Sequence, residues 1–148
     1  MDAEGTSPLW REGEVVDGRY EVVRMAGRGE MGEVYQVRHL QGDIDLAAKV
    51  PRADVSLSPD ELGQFADEAQ NWVSLGLHPN VCSCYFVRQL GGVPVVFAEY
   101  VPDGNLHHWI GDRRLYEGSA ADAARRIADV AIQFAWGLAY THQRHLVH

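Results

Sequence analysis

Gly27-Arg28-Gly29-Glu30-Met31-Gly32-Glu33-Val34 sets three glycines within six residues. Such a run turns tightly and approaches a bulky anion without Cβ clashes. Its free N–H groups can point at phosphate oxygens. Glycine-rich turns are common, so the flanking residues decide between readings. A Walker loop ends in Gly-Lys-Ser/Thr, whereas this stretch continues Glu33-Val34-Tyr35. A dinucleotide-binding turn opens a helix. Here Val34-Tyr35-Gln36-Val37-Arg38 follows, rich in β formers and without helical period. The stretch therefore joins two strands as a hairpin flap.

A flap over phosphates needs a cation on the next strand and an acid that holds the cation. Leu46-Ala47-Ala48-Lys49-Val50 supplies the lysine, in the place of a V-A-I-K motif. Glu68 follows nineteen residues after Lys49, inside a helical pattern. In this order the three motifs resemble the amino-terminal part of a protein kinase domain, most like bacterial serine/threonine kinases. The resemblance runs from about Tyr20 to His148. It implies an α+β fold: a small lobe of five antiparallel strands plus one helix, then the first helices of a truncated helical lobe.

The bulk properties agree with a soluble globular chain: 148 residues, 46% apolar, 23% charged. A net charge of −8 argues against non-specific nucleic-acid binding, which depends on basic patches. No basic-then-apolar leader and no membrane-length apolar run is read, so the expected location is cytoplasmic. Cys82 and Cys84, two apart on an expected strand, are poorly placed for a disulfide and read as free thiols in a reducing compartment. No metal site is read in the chain.

In chain order, residues 1–19 read as a lead-in of low order that closes on an Asp17-Gly18 turn. Strands are expected over 20–26, 33–39 and 44–50, with Pro51 ending the third. Ser58-Pro59-Asp60-Glu61 combines an N-cap, a first-turn proline and the glutamate of a capping box. That helix is expected to reach Leu75 and stop at Gly76, with Leu62, Phe65, Ala69 and Trp72 turned inward. Glu68 flanks this stripe. A carboxylate there is partly desolvated and needs a cation, for which Lys49 is the natural partner. A helical glutamate that leans out to water is the plainer alternative.

Strands over 81–89 and 93–100 flank Gly91-Gly92, a two-residue hairpin signal. Pro102-Asp103-Gly104 marks a boundary, so the small lobe spans 20–102 and the start of the large lobe 103–148. A short helix over 105–110 and a loop over 111–118 follow. The last helix starts near Ser119 and carries Ile127, Ala131, Phe134 and Leu138 as one apolar stripe. That stripe is expected to be under-buried.

The kinase resemblance also implies a site. ATP is the expected cofactor, with magnesium held by residues of the missing part, and a protein is the expected substrate. Backbone at Gly27, Gly29 and Gly32 would cradle the phosphates. Lys49 would reach the α/β oxygens and Glu68 would hold Lys49 in place; these two are the candidate catalytic residues. Ala26, Val34 and Ala47 would roof the adenine. The backbone of Glu99 and Val101 would read its edge. Ala98 would stand deep behind the base, at the gatekeeper position. His148 would open H-R-D, so the catalytic aspartate and D-F-G are expected beyond it. The functional expectation is thus the ATP-binding portion of a serine/threonine kinase, inactive as these 148 residues alone. The alternative is a non-catalytic nucleotide-binding or interaction module, pseudokinase-like.

Overall fold

The computed structural model describes residues 9–29, 32–51 and 58–146. The flap tip Glu30-Met31, residues 1–8 of the lead-in and His148 lie outside them. The chain forms two compact units, Met1–Gly76 with Ser83–Tyr100 and Leu77–Cys82 with Val101–His148. The turn around His78-Pro79 belongs to the second unit.

In the first unit the described residues form one antiparallel sheet of six strands, ordered β1-β2-β3-β4-β6-β5. The strands are β1 (Val15–Val16), β2 (Tyr20–Arg28), β3 (Glu33–His39), β4 (Ile44–Val50), β5 (Cys84–Leu90) and β6 (Val93–Glu99). β5 and β6 turn at Gly91 and Gly92, both at positive φ (59° and 83°), which glycine adopts without Cβ strain. Strand alternation sorts side chains to two faces. Tyr20, Val22, Tyr35, Val37, Leu46, Ala48, Val50, Val95 and Phe97 build the main core on one face. Val96 and Cys84 face the other way, against Phe65 and Ala69 of α1 (Pro59–Ser74). Helix α1 has the expected ends: Ser58 and Glu61 form a reciprocal capping box, and Gly76 follows the C-cap Leu75 at φ 68°. Hydrogen bonds from the Ser58 backbone and hydroxyl hold the Glu61 carboxyl below its usual range.

Two sequence expectations are corrected here. The lead-in is not of low order over residues 9–19. Val15 and Val16 pair with Glu21 and Tyr20, adding a sixth strand to the expected five. Trp10 is buried, its ring centroid 5.2 Å from that of Tyr35. A two-residue strand has no readable period, and a tryptophan is placed by its tertiary partner rather than by its neighbours. Trp10→Ala is expected to lower unfolding stability by about 3 kcal/mol in denaturant melts, the cost of emptying a large aromatic site. A loss below about 0.5 kcal/mol, as at plain surface sites, would mean that the ring only rests on the surface. The second correction concerns the cysteines. Cys82 is exposed and precedes β5, while Cys84 is buried within it, so they do not share a strand face. Among the described residues neither is in a disulfide.

The second unit contains α2 (Leu106–Gly111), a 3-10 turn (Arg114–Tyr116) and α3 (Ala120–Gln143). Asn105 caps α2, and Ser119 with Asp122 forms a second capping box on α3. Arg126 Nη1 donates to the carbonyls of Arg114, Leu115 and Glu117, which pins the turn to α3. Gly137 packs so closely on Asn80 that a Cβ there would lie 2.4 Å from the Asn80 carbonyl oxygen. The stripe on α3 is under-buried as expected: Ile127 is 42% and Phe134 69% exposed. With Leu106 and Ile110 of α2 these residues line a groove of about 660 Å³. Among the described residues no helix is long and apolar enough to cross a membrane.

Candidate functional site

The glycine stretch does join two strands. Gly27 and Arg28 end β2 opposite Val34 and Glu33 of β3, and the Gly29 N–H closes the turn on the Gly32 carbonyl at 2.9 Å. Gly32 is required by contact: a Cβ would stand 2.5 Å from the Val50 carbonyl oxygen and 3.8 Å from Lys49 Cε. A bare backbone is thus held beside the lysine stem, as a phosphate cradle needs.

Register then brings the other candidates onto one face of the sheet. Gly27, Val34, Lys49 and Val96 form one cross-strand row, and Gln36, Ala47 and Ala98 the next. Val34, Ala47 and Lys49 are half-buried on this face, between the core residues that alternate with them. Ala98 is buried there at 4% exposure. The neighbouring Phe97 points to the opposite face, its ring stacked on Tyr20 at 4.4 Å, so it does not fill the space beside Ala98.

Three further candidates are Ala26, Glu99 and Val101. Ala26 sits at a β-bulge, without a register partner on β3, and is exposed. Glu99 donates its N–H to the Ser83 carbonyl at 2.8 Å. Val101 lies in the second unit and is half exposed.

The expected Lys49–Glu68 ion pair is not formed. Lys49 Nζ instead stands 5.4 Å from the centre of the Phe65 ring, one helical turn earlier on α1. Glu68 is exposed. Spacing placed Glu68 on the flank of the inward stripe, and the flank has two outcomes that differ by a modest rotation of the helix.

The buried carboxylate of this region is Glu33, directly after Gly32 and fully shielded from solvent. The Tyr35 hydroxyl donates to its Oε2, and the Leu9 N–H donates to the same oxygen at 3.1 Å. Arg28 Nη2 stands 2.9 Å from Oε1. Burial, then the hydrogen bond to Glu33, pushes the Tyr35 phenol up to about 12. None of Glu33, Tyr35 and Arg28 was singled out from the sequence. The available signal was alternation: Glu33 and Tyr35 share a strand face with the apolar Val37.

Comparison with known proteins bears on this arrangement of flap, lysine strand and helix. The protein kinase domain family matches residues 20–148. This chain belongs to the protein kinase domain family. Its relatives include the serine/threonine-protein kinase PrkC of Bacillus subtilis, 28% identical over 137 residues, 92% of this chain and 20% of PrkC. PknB of Mycolicibacterium smegmatis is 31% identical over 134 residues, 88% of this chain and 20% of that protein. The PknI kinase domain of Mycobacterium tuberculosis superposes with a TM-score of 0.70 at 26% identity, covering 95% of this chain and 54% of that one. The kinase-like fold, with an antiparallel sheet followed by helices, agrees with that neighbour. The chain spans about a fifth of the length of the curated relatives it matches.

Proposed function

We propose that residues 20–148 are the ATP-binding portion of a serine/threonine kinase, in which phosphate passes from ATP to a protein hydroxyl. The observation that carries this reading is the apposition of the bare Gly32 backbone and the Lys49 stem, with Val34, Ala47 and Ala98 on the same face. ATP fits that chemistry. Glycine N–H groups meet phosphate oxygens without steric cost, a lysine serves as a mobile point charge, and small apolar side chains leave room for a base. The backbone of Glu99 and that of Val101 are assigned to the base edge. Glu68 is assigned to Lys49 in the nucleotide-bound state, after α1 turns it inward. Ala26 adds little to the roof at its bulge. No magnesium ligand is assigned to these 148 residues, and a protein substrate and cytoplasmic location are part of the proposal.

One observation favours the alternative of a non-catalytic, pseudokinase-like module: Lys49 rests on Phe65 while Glu68 faces water. The two readings separate on turnover. Full-length protein incubated with radiolabelled ATP and magnesium transfers label to protein under the first reading and only binds ATP under the second.

The 148 residues contain neither H-R-D nor D-F-G. Base and metal contributions account for a large share of transfer catalysis. The pure 148-residue chain is therefore expected to show no phosphate transfer in the same assay. Label appearing on any protein acceptor would overturn this division of labour.

A further inference from the structure

Glu33 is a fully buried carboxylate for which phosphate binding has no use, since it lies on the core face of β3, opposite Val34 and Lys49. A buried carboxylate persists only when cations and hydrogen bonds compensate the lost water. Its compensation comes from two places that are far apart in sequence. Oε2 receives the Leu9 N–H at 3.1 Å and the Tyr35 hydroxyl, and that hydroxyl in turn accepts the Trp10 N–H at 3.2 Å. Oε1 faces the Arg28 guanidinium at 2.9 Å, without the alignment of a hydrogen bond. Arg28 stands between Gly27 and Gly29, inside the flap itself.

We propose that Glu33 is a positioning residue that couples the Leu9-Trp10 segment to the glycine flap through Arg28, so that docking of the segment sets the flap's place and its hold on nucleotide. This rests on the reading of Gly27–Gly32 as the phosphate flap. When the segment is docked, Glu33 is dry and its charge acts on Arg28 with little screening. When the segment leaves, water reaches the carboxylate, the ion contact weakens, and Arg28 no longer holds the β2 end of the flap. The coupling is reciprocal by linkage: nucleotide that fixes the flap must also favour the docked segment.

The test is amide hydrogen exchange across residues 27–34 in the full 148-residue chain, with 84–98 as internal reference. Leu9→Pro removes the N–H donor together with the Leu9 side chain that packs on the core, so Leu9→Ala, which keeps the N–H, is its control. Arg28→Gln removes the flap cation and leaves the buried Glu33 carboxylate with hydrogen bonds alone, so exchange at 84–98 and a denaturant melt check that the variant still folds. Leu9→Pro and Arg28→Gln are each expected to speed exchange at 27–34 about tenfold, with 84–98 unchanged, as for a local opening. The double variant is expected to add little to either single one, because both break the same link. Arg28→Lys, which keeps the charge, is expected to restore much of the protection. Unchanged exchange in Leu9→Pro, or two effects that simply add, would overturn the coupling.

Titration with ATP and magnesium forms the second arm, with affinity expected to fall about fivefold in each single variant. Coupled exchange without ATP binding in the wild type would remove the nucleotide reading and leave the segment–flap link standing. ATP binding that is indifferent to Leu9→Pro would remove the proposed effect on nucleotide and leave the site reading intact.

Discussion

Lys49→Ala in the full-length protein is expected to reduce phosphate transfer from ATP by about 100-fold or more, the scale on which removing one preorganised electrostatic partner acts. The lysine is the last residue but one of β4, paired across the sheet with Val34 and Val96, so its stem is fixed by the ladder. Only its end group is free to choose between the Phe65 ring and an incoming phosphate. The cation–π contact with Phe65 is worth about 1 kcal/mol at a partly exposed site. Charge-assisted contacts with phosphate oxygens are stronger than that, so nucleotide is expected to draw the ammonium away from the ring. Losing the Phe65 contact is expected to lower stability by about 1 kcal/mol, too little to unfold the domain, so the loss of transfer is not a folding effect. Transfer at the wild-type rate by Lys49→Ala would refute the role given to this residue.

The second large effect concerns Ala98. Ala98 is buried on the site face next to Ala47, and Phe97 is committed to the opposite core between Tyr20 and Phe86. Trp72, half-buried on α1, packs with the Phe65, Ala69, Cys84 and Val96 cluster. A small residue at this position leaves room behind the base. An ATP analogue with a benzyl group on the adenine amino nitrogen is therefore expected to bind the wild-type full-length protein better than Ala98→Met. Burying about three methylene equivalents is worth about 2 kcal/mol, or about thirty-fold in Kd. Plain ATP is expected to distinguish the two proteins far less. If the analogue binds both equally, Trp72 closes the space or the connector is misaligned by one residue.

The two predictions draw on features that differ in how far the sequence reveals them. Ser58, Pro59, Glu61 and Gly76 bound α1 through contacts within a few residues, so local chemistry alone places both ends. Lys49 and Ala47 fall on one sheet face because strand alternation is a strict period. The Lys49–Glu68 pair was not legible in the same way. It depends on how α1 is rotated against the sheet, which spacing along the helix does not specify. Trp10 and Glu33 escaped for a related reason. Their environment is made by each other's neighbours, Leu9 with Glu33 and Trp10 with Tyr35, about 25 residues apart. A glutamate after a glycine turn reads as a solvated strand end until that cover is known. The exposed stripe on α3 was legible because an apolar face at helical spacing demands a partner, whatever that partner is.

The most direct measurement is a crystal structure of the full-length protein with magnesium and a non-hydrolysable ATP analogue. The phosphates are expected under the backbone of Gly27, Gly29 and Gly32, with Lys49 Nζ moved from Phe65 to within hydrogen-bonding reach of a phosphate oxygen. Glu68 is expected to turn in against Lys49, with the base lying against Val34 and Ala47. An analogue bound elsewhere, or bound here with Lys49 still on Phe65, would contradict this reading of the site.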